Sequence, residues 1–167
     1  MEAIPSKVAI ERWFVKTVGF ICLMACLIGG SCTPSMPPEC QEFFYSGSSN
    51  DAEKEFSSYD LDKQLKIYRC GMTRRPPHTT LALLIADRGE DAVSPLLDKL
   101  ETERDELSQY SIIRILAVMS LKGHLRNRSD VADRVRQVIA RMTIPTFREM
   151  AKEELNTIEQ NSDITGQ

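Results

Sequence analysis

Leu81-Ala82-Leu83-Leu84-Ile85-Ala86-Asp87-Arg88-Gly89-Glu90-Asp91-Ala92-Val93-Ser94-Pro95-Leu96-Leu97 holds two helical patterns around one glycine. Leu81, Leu84 and Ile85 recur at the spacing of one helix face, with Leu83 flanking. Gly89 offers the positive φ at which a helix can stop. Ala92, Val93, Leu96, Leu97 and Leu100 then open a second face at helical spacing. Pro95 falls early in that helix, where proline is tolerated.

The same period runs outward in both directions. Leu61, Leu65 and Tyr68 line one face of a preceding helix, with Asp60 as its cap and Gly71 as its stop. Arg74-Arg75-Pro76-Pro77 breaks the chain before the His78–Arg88 helix. Downstream, Asp105–Lys122 carries Leu107, Tyr110, Ile113, Leu116, Ala117 and Met119. Apolar residues on more than one side predict a central, nearly buried helix. Gly123 ends it. Ser129 is the expected cap of a helix bearing Val131, Val135, Val138, Ile139 and Met142. Thr143 and Pro145 open the last one, with Phe147, Met150, Ala151, Leu155 and Ile158. No strand is expected after the first segment. The fold class is therefore all-α, with about five to six helices whose short connections make neighbours antiparallel.

The quoted stretch resembles the inner turn of a HEAT-type helical repeat. There one helix ends at a glycine, and an acidic, Ala/Val, Pro, Leu-Leu run begins its partner. The likeness covers about 25 residues, and the later helices share only the layout. Two or three such units imply a compact helical domain of antiparallel hairpins.

The chain has 167 residues with a formal net charge of -3, 42% hydrophobic and 27% charged residues. That is ordinary for one soluble domain. The first 32 residues differ. Lys7, Arg12 and Lys16 lead into the uncharged run Thr17–Ile28, then Gly29, Gly30, Ser31 and Cys32. A basic lead, a short apolar core and small residues form the export-signal pattern. About 12 apolar residues make roughly 18 Å of helix, against a hydrocarbon layer of about 30 Å. A span from Trp13 to Gly30 is the weaker alternative.

Ile28-Gly29-Gly30-Ser31-Cys32 resembles the lipobox of bacterial lipoproteins. The resemblance implies acylation of Cys32, palmitate among the acyl chains, and cleavage before it. It departs from the family at Gly29, where leucine is usual. Leu23-Met24-Ala25-Cys26 follows that rule better, so Cys26 is the alternative. It would cut the apolar core short. Cleavage after Ser31 without lipid is the remaining option. In that class Thr33 after the cysteine implies the outer membrane in preference to the inner, with the domain facing the periplasm. With Cys22 and Cys26 removed and Cys32 acylated, Cys40 and Cys70 remain as an even pair. An oxidising compartment would join them, whereas a cytosolic protein would keep two free thiols.

The expected organisation is a signal over 1–31, then a lipidated cysteine and Pro/Ser-rich linker over 32–58, with a short helix from about Asp51 to Phe56. A helical domain follows over 59–160, and a flexible tail over 161–167. No catalytic residue, metal ligand set or cofactor motif is nominated. His78 and His124 read as loop or cap residues, and Glu90-Asp91 and Asp105-Glu106 as complements of helix dipoles. Asp87–Glu106 holds eight acids and three bases, and Arg114–Arg141 seven bases and two acids. Arg126, Arg128, Arg134, Arg136 and Arg141 are a candidate basic face for an acidic protein or anionic head groups. A solvated face, balanced by the acidic segment and by Asp130–Arg134, is the plainer reading. Lys66, Arg69, Arg74 and Arg75 form a second basic stretch with the same two readings. The expected compartment disfavours nucleic acid, and none is expected as a partner. The expected function is a non-catalytic protein-interaction module tethered to the envelope membrane, with an unknown protein partner. A small hydrolase of wall or lipid, an inhibitor or immunity protein against an envelope-acting enzyme, and a plain structural lipoprotein are the alternatives.

Overall fold

A computed structural model describes residues 36–45, 49–126 and 128–162. The signal segment, Cys26, Cys32, residues 33–35 of the linker, residues 46–48, Asn127 and the residues from 163 lie outside the described residues. The chain divides after Ser35, and the described residues belong to the unit that begins at Met36.

The described residues form eight α-helices and no strand, in agreement with the all-α expectation. They are α1 (Pro38–Tyr45), α2 (Ser49–Ser58), α3 (Leu61–Met72), α4 (Leu81–Ala86), α5 (Val93–Thr102), α6 (Glu106–Leu121), α7 (Asp130–Ile139) and α8 (Pro145–Ser162). A single 3-10 turn, Glu90–Ala92, leads into α5. This exceeds the five or six helices expected. The surplus lies before α3, where a linker with one short helix is expected: α2 answers to that helix, and α1 is the addition. Proline at the first helical position costs no intrahelical bond, so Pro38 starts α1 instead of prolonging the spacer. Neither helix has an aliphatic stripe of its own. Both are held by aromatic burial, with Phe56 wholly enclosed and Phe43 and Phe44 packed on the core.

Gln64 fixes α2 from below. It is buried, and its Nε2 donates to the Phe56 carbonyl at 2.8 Å. Its Oε1 accepts from Arg88 Nε at 2.8 Å, and Arg88 Nη2 donates to the Tyr59 carbonyl at 2.6 Å. One amide and one guanidinium thus join α2, α3 and the end of α4.

Helix α6 is the centre. It packs most extensively on α8, then on α4, and also on α3 and α5. Eleven of its residues are buried, among them Ile113, Ile115, Leu116 and Met119. A helix apolar all round has no wet side, and that is what its sequence demands. Two of its buried polar side chains are satisfied close by along the chain, and Ser120 Oγ donates across to the Ile158 carbonyl of α8 at 3.4 Å. Gln109 Nε2 donates to the Glu103 carbonyl at 2.9 Å, and Ser111 Oγ to the Leu107 carbonyl at 2.7 Å.

The helix ends test the cap readings one by one. Asp60 accepts from Lys63 N at 2.8 Å, as expected for a cap. Ser129 caps nothing: its backbone is already helical and its side chain makes no cap bond. Gly71 does not end α3, which runs on to Met72. Instead it lets another segment approach. A Cβ there would stand 3.1 Å from His78 Cβ and 3.2 Å from Phe44 Cζ. Gly89 and Gly123 do take positive φ, 74° and 79°. Gly89 pairs this with ψ of -161°, a region that side chains other than glycine's avoid. No atom lies within 4 Å of a Cβ built there, so the cost of replacing it is conformational alone. Gly89→Ala is expected to destabilise by about 1–3 kcal/mol in urea unfolding. Gly89→Asn, which should be no better in this region, separates it from an ordinary left-handed cap.

Candidate interaction surface

Helix α3 presents Asp62, Leu65, Lys66 and Arg69 at spacings of three and four, which share one helix face. Across from it stand Lys99 of α5 and Ile112 of α6. Together they border an open groove of about 360 Å³. The apolar part of its floor is Leu65 and Ile112, and Ser108 and Ser111 add polar surface. Lys99 Nζ lies 3.7 Å from Asp62, and Arg69 Nε 3.2 Å from Asp105. Lys66 has no carboxylate within ion-pair distance among the described residues. The groove continues past Asp62 and Leu65 toward Pro95 and Thr102. An apolar strip edged by charges of both signs suits a polypeptide segment better than a single anion.

Asp105 anchors the α6 end of this groove. Its Oδ2 accepts from Ser108 N at 2.9 Å and from Ser108 Oγ at 2.7 Å. Burial pushes the carboxyl up, but the Ser108 bonds and the Arg69 guanidinium outweigh it, so it titrates below the usual carboxylate range. A depressed carboxyl stabilises the fold above its unfolded value, about 3.9, and loses that as pH falls through the folded value. Stability should therefore decline on acidification below about pH 4. Asp105→Ala is expected to cost about 1 kcal/mol at neutral pH and to flatten that decline, read from urea unfolding at stepped pH.

Glu106 does something that its sequence position hides. Its carboxylate accepts from Thr143 N at 2.6 Å, Thr143 Oγ1 at 2.7 Å and Ile144 N at 2.9 Å. It therefore satisfies the approach to α8, far along the chain, instead of serving the dipole of α6. Only the pairing Asp105-Glu106 signalled an acid there, and nothing local signalled its target.

The candidate basic face is largely neutralised within the molecule. Arg134 pairs with Asp98 at 3.0 Å and Glu101 at 2.6 Å. Arg136 reaches Asp133 and Glu159, and Arg128 pairs with Asp130 at 2.9 Å. Asp130 thus serves Arg128, not the Arg134 expected one turn on. Lys122 pairs with Asp87. The acidic and basic segments meet each other. Arg126 and Arg141 are exposed and form no ion pair among the described residues.

Cys40 and Cys70 stand at disulfide distance, with Cα atoms 6.3 Å apart, joining α1 to α3. His78 is exposed, its ring centroid 5.0 Å from that of Phe44. His124 is half-buried just after Gly123, its N–H donating to the Met119 carbonyl at 2.9 Å. Among the described residues no three His, Cys, Asp or Glu side chains could together hold a metal ion. No described helix is long and apolar enough to cross a membrane.

No protein-family model, no curated protein and no solved structure matches this chain.

Proposed function

We propose that the protein is an envelope lipoprotein, acylated on Cys32, whose helical domain is a non-catalytic module that holds a segment of a partner protein. The observation that carries the reading is the Cys40–Cys70 pair at disulfide distance. Disulfides persist outside the cytoplasm, so the pair agrees with the export pattern and lipobox resemblance of the first 32 residues. The groove between α3, α5 and α6 is the surface nominated for the partner, since it joins apolar floor to charges of both signs.

Intact-mass measurement of the protein from bacterial membranes tests the location. The expected mass lacks residues 1–31, gains three acyl chains and a glyceryl group at Cys32, and lacks the two hydrogens of paired thiols. An uncleaved chain with free thiols refutes it. Cross-linking of the same lipidated protein in membranes tests the module. A partner captured by the natural chain and lost with Lys66→Glu plus Lys99→Glu is expected. A capture pattern indifferent to that double substitution removes the groove from the proposal.

A further inference from the structure

Of the two basic stretches, the arginines of α7 are spent on carboxylates, while Arg74 and Arg75 are not. Among the described residues no carboxylate lies within ion-pair distance of either. Arg74 is held by rings instead. Its guanidinium carbon lies 4.8 Å from the Phe44 ring centroid and 4.9 Å from that of Tyr45. Its Nη1 is enclosed without a hydrogen-bond partner. Tyr45 is 69% exposed, the most exposed large apolar side chain among the described residues. Arg75 and Pro76 beside it are exposed as well. Glu39 of α1 borders a hollow with Asp60 and Lys66.

We propose that Phe44, Tyr45, Arg74 and Arg75 form a docking surface for an anionic lipid bilayer, one that seats the domain on the membrane to which Cys32 ties it. The inference rests on the lipoprotein reading above. Chain length and charge choose this occupant over a protein. Five residues, Thr33 to Pro37, separate Cys32 from α1. Fully extended they reach about 17 Å, and the eight residues of α1 add about 12 Å. A domain on so short a leash stays beside the head groups, and α1 is the element the leash enters. Tyrosine is a residue of the bilayer interface, where its ring lies among head groups and its hydroxyl meets water. Arginines without a protein counter-ion are attracted to anionic lipid. An aromatic–arginine stack offers both at one place.

The test uses processed protein whose acylation at Cys32 has been confirmed by mass. Trp13, the one tryptophan of the chain, leaves with the signal. Tyr45→Trp and Gln137→Trp each then supply a single indole, the latter at an exposed position of α7, which packs on α5 and α8. Each protein is reconstituted in phosphatidylethanolamine–phosphatidylglycerol vesicles carrying brominated acyl chains. Strong quenching is expected at position 45 and little at 137. Replacing phosphatidylglycerol by phosphatidylcholine should reduce it. Adding Arg75→Gln should lower the ratio of docked to undocked domains about fivefold. Equal quenching at the two positions, or quenching indifferent to anionic lipid and to Arg75→Gln, overturns the docking surface while the anchor stands. An unacylated Cys32 overturns the anchor, and the docking surface falls with it.

Discussion

Replacing both Cys40 and Cys70 by serine is expected to lower the unfolding free energy by about 3–4 kcal/mol. The two residues are 30 apart, so the link closes a loop that contains most of α1, α2 and α3. Loop-closure entropy for such a length gives that figure, against a total of about 5–15 kcal/mol for a domain. The region has few other means of holding on. Helix α1 has one buried residue, and it is Cys40 itself. Phe43 and Phe44 are only partly covered, and α2 leans on Phe56 and the Gln64 amide. Urea unfolding with and without reductant provides the measurement. The natural protein with reductant should unfold like the double serine variant, and the variant should ignore the reductant. Amide exchange should rise first in α1, because its one buried anchor has been lost. A natural protein indifferent to reductant would mean that the thiols are not joined. It would also withdraw the main support for an extracytoplasmic site.

The parts of the fold legible in the chain are those in which one helix buries one stripe. The period in Leu81–Leu97 marks α4 and α5, and the apolar surround of Ile113 and Leu116 marks α6 as central. Gly89 and Gly123 are legible because a positive φ is local chemistry. Helix α1 is not, because its order derives from rings and a sulfur that meet residues far along the chain, whereas α2 is legible as a short helix over about 51–56 that the structure extends by two residues at each end. Gly71 misleads for a related reason. A glycine can mark a stop or a close approach, and only the position of His78 and Phe44 decides between them. Charge was least legible of all. Arg134 looks like part of a basic face until Asp98 and Glu101 are brought to it from α5. The candidate groove has the same origin, since α3 supplies Lys66 and Arg69 but α5 and α6 supply the opposite wall. The pairing of Cys40 with Cys70 could be reached by counting, because the lipobox resemblance removes the odd cysteine.

Leu116→Ala is expected to cost about 2–5 kcal/mol, whereas Leu121→Ala on the same helix should change stability by less than about 0.5 kcal/mol. Both replace leucine by the best helix former, so any gain in propensity is shared and the difference reports packing. Leu116 is wholly enclosed in the most surrounded helix of the domain, while Leu121 is 65% exposed. Truncating Leu116 opens a void that the helices packed on α6 are hindered from closing, because α8 and α4 are held in place by polar ties. Helix α8 is tied through Glu106 to Thr143 and Ile144, and through Glu154 to Arg114 at 2.9 Å. Helix α4 is tied through the Arg88–Gln64 bond. Resistance to collapse is what pushes a cavity substitution to the upper part of its range. Urea midpoints of the two variants, at equal slope, decide the matter. Similar losses at both positions would show that Leu116 is no better packed than Leu121, and the place of α6 as the centre of the core would have to be given up.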